Sequence, residues 1–152
     1  MLTRLMLVSL ACAAPLAAQT TPAAPPTTPP APIVLSPADS ARLFARGKQI
    51  NDWFLAGMVD SVYAAATPDA QQKMGGPEGV QAQYERFIDR AGAPIGEVAM
   101  MMTRREGQPQ FWYEARFSEF QQDLLVLRWV LNTEGQITGA GMGPKGGARK
   151  DP

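Results

Sequence analysis

The chain has 152 residues, with 14 Lys+Arg against 14 Asp+Glu, no histidine and a single cysteine. Without histidine there is no side chain that titrates near neutral pH by default, no Ser–His or Cys–His nucleophile pair and no His-built zinc site. The charges form no basic block or stripe, so a nucleic acid or an anionic membrane finds no electrostatic footing.

Arg4 precedes an apolar run, residues 5–16, that is too short to cross a bilayer. Ala17 and Ala18 are the small residues that a signal peptidase favours, so residues 1–18 read as a secretory signal. The expected product is exported, to the periplasm or the extracellular space, with no transmembrane segment in the mature chain. Acylation of Cys12 to give a lipoprotein is an alternative. A cut after Ala18 removes Cys12, and a domain without thiols must live on its core rather than on disulfides. Residues 19–35 form a Thr/Pro/Ala-rich linker whose prolines remove N–H donors and favour extended polyproline geometry. Residues 144–152 are rich in Gly, Lys and Arg without an apolar anchor and are expected to be disordered. One domain remains, 36–143.

The first half of that domain reads as helical. Ser36-Pro37-x-Asp39 places a capping hydroxyl, a proline at the first helical position and an acid in the first turn. Leu43, Gly47, Ile50, Phe54 and Met58 then recur at three-and-four spacing, with Arg42, Arg46, Gln49 and Asp52 on the polar side. Gly57 is expected to break this helix. Val59, Val62, Tyr63 and Ala66 share one face of a second, short helix ending near Thr67-Pro68, and 69–74 offers a further turn. Residues 79–91 carry the stripe Val80, Tyr84, Phe87, Ile88 and Ala91, stopped by Gly92.

The second half changes period. Residues 97–105, 110–118, 124–132 and 136–142 read as four strands joined by short turns, the last through Asn132-Thr133-Glu134-Gly135. Helices first and an antiparallel meander second indicates an α+β fold with the helices on one sheet face. Setting Phe117 opposite Leu125 pairs Ala115 with Leu127, Tyr113 with Trp129, and Phe111 with Leu131, giving one apolar face. The other face then holds Arg116 with Val126, Glu114 with Arg128, and Trp112 with Val130.

Ala45-Arg46-Gly47 to Gly57, the segment 61–68, Gly75-Gly76, the Tyr84 helix ending at Gly92, and Asn132-x-x-Gly135-x-Ile137-x-Gly139 stand in a familiar order. Across 36–143 that order resembles the nuclear transport factor 2-like superfamily, the cystatin-like α+β cone. It is most similar to small uncharacterised secreted domains that also occur joined to serine hydrolases. The resemblance implies a curved sheet wrapped on long helices around a conical pocket. Some relatives are cofactor-free isomerases, dehydratases or hydrolases, and many others are binding or dimerisation modules.

Phe54, Tyr84, Tyr113 and Trp129 are the expected lining of such a pocket. A cofactor-free isomerase or lyase would need a carboxylate in it with a donor for the developing oxyanion. Asp60, at the margin of its helix face, with Tyr63, Tyr84 or Tyr113 is the combination that could serve, with Asp52 on the polar side. Trp112, Val126 and Val130 on the outer sheet face offer a partner surface, by analogy with relatives that dimerise through that side. Met100-Met101-Met102 would suit Cu(I), but successive strand residues point to opposite faces, so core packing is the expectation. Scattered carboxylates give no calcium or magnesium site, and no cofactor is implied. The expected function is a secreted, non-catalytic binding or assembly domain with a small apolar ligand. The alternatives are the carboxylate–tyrosine enzyme and an accessory domain for a cell-envelope hydrolase.

Overall fold

The computed structural model describes residues 35–148. The expected signal, the expected linker up to residue 34 and residues 149–152 lie outside the described residues. Four helices come first: α1 (Pro37–Leu55), α2 (Val59–Ala64), α3 (Pro68–Met74) and α4 (Gly76–Ala91). Four strands follow: β1 (Pro94–Arg105), β2 (Gln108–Phe117), β3 (Phe120–Leu131) and β4 (Ile137–Pro144), then a single turn, α5 (Lys145–Ala148). The strands pair in chain order as one antiparallel sheet, so the fold class is the α+β meander that the change of period indicates.

The caps explain the helix starts. The Ser36 hydroxyl accepts from the Asp39 N–H, and Thr67 does the same for Ala70, each followed by proline. Leu43, Gly47, Ile50 and Phe54 are the buried stripe of α1. Gly47 has no room for a side chain, because a Cβ there would collide with Phe111. Met58 does not continue the stripe: the chain turns at Gly57, and Met58 is exposed. The α1 polar side is used as well. Arg42 donates to the Thr133 carbonyl at 2.8 Å and Arg46 to the Gly135 carbonyl at 3.2 Å, fastening the β3–β4 turn to the helix.

The strands alternate as their sequence dictates. Phe111, Tyr113, Ala115, Phe117, Leu125, Leu127, Trp129 and Leu131 all face the helices and are buried. Their pairing differs from the expected one by two residues. Phe111 opposes Trp129, Tyr113 opposes Leu127 and Ala115 opposes Leu125. A shift of two keeps every side chain on its face, which is why the faces are right and the partners are not. The cause lies in the turn. Ser118 and Glu119 bond back to the carbonyls of Ala93 and Ala91, so the hairpin closes tightly and β3 starts at Phe120 rather than 124. That docking needs a residue beside it with positive φ and no side chain, and Gly92, at φ 73°, meets both conditions.

The expected Glu114–Arg128 pair is therefore absent. Arg128 opposes Trp112 and lies over its ring at 5.5 Å, while Glu114 opposes Val126. Glu114 is only 4% exposed, and Lys145 donates to its Oε2 at 2.6 Å. Past residue 143, β4 runs to Pro144 and α5 follows, and that contact ties Lys145 back to the sheet.

Candidate functional site

Phe54, Tyr84 and Trp129 meet inside the domain, but they fill it. The Phe54 ring packs edge-on against Tyr84 at 5.6 Å and Trp129 at 5.5 Å, and against Phe87 at 5.4 Å. Such rings contribute about 0.5–1.5 kcal/mol per pair beyond their area. Tyr113 lies on the same sheet face, with its ring buried. Of the four residues expected to line a pocket, Phe54, Tyr113 and Trp129 are therefore core, and Tyr84, partly buried, packs against them.

Asn51 completes this interior and escaped the sequence reading. It is fully buried on α1, its Oδ1 accepts from the Trp129 indole at 3.3 Å, and its Nδ2 has no partner. Residues 47, 51 and 54 are spaced three and four apart, so periodicity places Asn51 on the buried stripe and only its polarity concealed it. Its role is to satisfy a buried indole N–H, which otherwise costs about 1–3 kcal/mol.

The tyrosines and carboxylates are kept apart. Asp60 is exposed, bordering a shallow depression with Glu78 and Glu85. The Tyr84 hydroxyl lies close over Gly57, and Tyr63 is half-buried. Asp52 takes the Lys48 ammonium at 2.8 Å, which raises the lysine's pKa. Burial pushes the Tyr113 phenol above its ordinary range, and the charges of Glu97 and Asp52 add to that shift. Among the described residues no hydrogen bond joins a carboxylate to a tyrosine hydroxyl. No group of three potential ligands that could hold a metal occurs there either. Met100 and Met102 pack against the core from the helix side, and Met101 faces outward opposite Trp112.

On the outer sheet face, Trp112, Val126 and Val130 do lie together. Val126 and Val130 are buried, and Trp112 is half-buried with its indole N–H donating to Thr103 at 2.6 Å. Of the three, Trp112 alone leaves appreciable surface.

An open surface appears elsewhere. In β3, Leu125, Leu127 and Trp129 are buried beneath the helices. Their β4 partners on the same face, Pro144, Met142 and Ala140, are exposed, Met142 by 46%. The helical layer covers the start of β4 at Ile137 but not Ala140 to Pro144, and leaves a groove of about 500 Å³ between α4 and the strand. Its floor is Phe87, Ala91, Phe120, Leu125, Ala140 and Met142. Gln83, Arg86 and Arg90 border it, and with Phe87 and Ala91 they form one side of α4 at helical spacing. Neither arginine belongs to an ion pair of the described residues. The sequence signal for this site was the side-chain-poor strand 137–144, ITGAGMGP, whose shape cannot be read without knowing where the helices end.

Comparison with family models, with curated proteins and with solved structures finds no match. No helix among the described residues is long and apolar enough to cross a membrane.

Proposed function

We propose that this is a non-catalytic binding domain of an exported protein, and that its working surface is the α4–β4 groove. The observation that carries the reading is the split between paired residues: Leu127 is buried while Met142 opposite it is exposed. An apolar floor of this volume is in the range of small-ligand and anchor-residue sites. Two arginines without acidic partners at its border favour an occupant that is apolar and negatively charged. The filled aromatic interior turns binding away from the centre of the domain and toward this surface. The resemblance to the nuclear transport factor 2-like superfamily, in which many relatives are binding modules, is in keeping with this reading.

The test uses anilinonaphthalene sulfonate, an apolar anion, as the probe. The folded protein should bind it saturably with enhanced fluorescence, and Met142→Glu and Arg90→Glu should each weaken binding by about tenfold, ~1.4 kcal/mol. Equal binding by the wild type and both variants would remove the groove as the site.

A further inference from the structure

The two edges of the sheet are protected very differently. The β1 edge has register shifts at Pro94/Gly96 and Glu97/Ala99, and it carries Arg104 and Arg105. Bulges, prolines and charges are the devices by which natural sheets discourage another strand from joining. The β4 edge has one register shift, at Thr138 between Ile137 and Gly139, and none of these devices from Gly139 to Gly143: that stretch has no charge and no proline, and its pairing with β3 is regular. Its beginning is closed, because Ile137 exchanges backbone hydrogen bonds with Ala65 and Thr67. Beyond Ile137, no backbone group of the described residues meets the outward edge.

In an antiparallel edge strand, alternate residues turn their N–H and C=O away from the sheet. Gly139, Gly141 and Gly143 occupy the outer-face positions of β4, opposite Val130, Arg128 and Val126, so no β4 side chain shields those groups there. On the helix side the same edge opens into the groove beside Met142.

We infer that the occupant is an extended, acidic segment of a partner protein, which adds to β4 as a fifth strand and places alternate side chains in the groove. This rests on the groove reading above. The backbone edge supplies affinity, and the groove selects every second side chain, the general logic of strand addition. Arg86 and Arg90 select acidic residues, since both line the groove and neither has an ion-pair partner. A second copy of this chain would bring the same two cations rather than their complement. A long-chain anion would fill the groove but leave the edge unpaired.

The experiment selects short random peptides by display on the intact chain. The best peptide is then synthesised with backbone N-methyl groups on one or the other set of alternate residues. Expected are peptides that alternate acidic or apolar side chains, and a loss of about tenfold in affinity for one N-methyl set but not the other. Amide exchange should slow at residues 138–143 and stay unchanged at 98–105. Failure to enrich any peptide, equal tolerance of both N-methyl sets, or unchanged exchange along β4 overturns strand addition. Retained binding of anilinonaphthalene sulfonate would then leave the groove itself standing, and loss of both would remove the two together. A concentration-dependent dimer that protects residues 138–143 without peptide would also overturn it, by giving the edge to a second copy.

Discussion

The interior around Phe54 and the groove beside Met142 lie on the same side of one sheet, yet only one is closed. Phe54 is surrounded by Tyr84, Phe87 and Trp129, and Asn51 adds a hydrogen bond to the indole. Met142 stands one strand further on, where no helix covers it. The difference shows that in a small helix-on-sheet domain one strand can be closed into the core while its neighbour stays open, and on the proposed reading stability and recognition are divided between them. Close packing under α1 and α4 holds the fold, and the strand left over is free to meet something else.

The sharpest way to test that division is to remove a residue from each side. Phe54→Ala should lose about 3–5 kcal/mol of stability, read by urea unfolding, since three ring contacts and a large buried volume disappear. A loss under about 1 kcal/mol would mean the interior is loosely packed. Trp129→Phe keeps most of the ring but leaves the Asn51 amide without its only hydrogen bond, and should cost about 1–3 kcal/mol.

The alkaline limb of stability gives a smaller effect with a definite sign. Burial raises the Tyr113 pKa above its ordinary value of 10.0. The stabilisation this represents is fully present below that value. It is lost as pH rises through the higher folded value, because the unfolded chain ionises first. Tyr113→Phe should flatten the decline in stability above pH 10, measured by denaturant midpoints. An unchanged slope would mean the phenol is wet in the folded protein. Smallest of all, Met142→Ala should change stability by no more than about 0.5 kcal/mol, since its side chain is already half in water. A loss as large as that of Phe54→Ala would show that β4 belongs to the core.

Local chemistry made much of this fold legible. The Ser36 cap, the stop at Gly92 and the alternation from Phe111 to Leu131 each depend on neighbours along the chain, and each stands where the residues put it. The register did not follow, because facing patterns are blind to a slip of two, and the docking of Ser118 and Glu119 on Ala91 and Ala93 is a long-range fact. The same blindness produced the false Glu114–Arg128 pair and hid Lys145 as the true partner of Glu114. The site was least legible. Phe54, Tyr84, Tyr113 and Trp129 look identical in sequence whether they line a void or fill it. The groove exists only because α4 ends its cover at β3, and no spacing within β4 records that.

The most direct measurement follows the Met142 methyl and the Trp129 indole proton by NMR while anilinonaphthalene sulfonate is titrated into the folded protein. Saturable movement of the Met142 signal with a stationary Trp129 signal is the result that a closed interior and an open groove require. Movement of Trp129 first, with Met142 unaffected, would place the binding site inside the aromatic cluster and contradict that division.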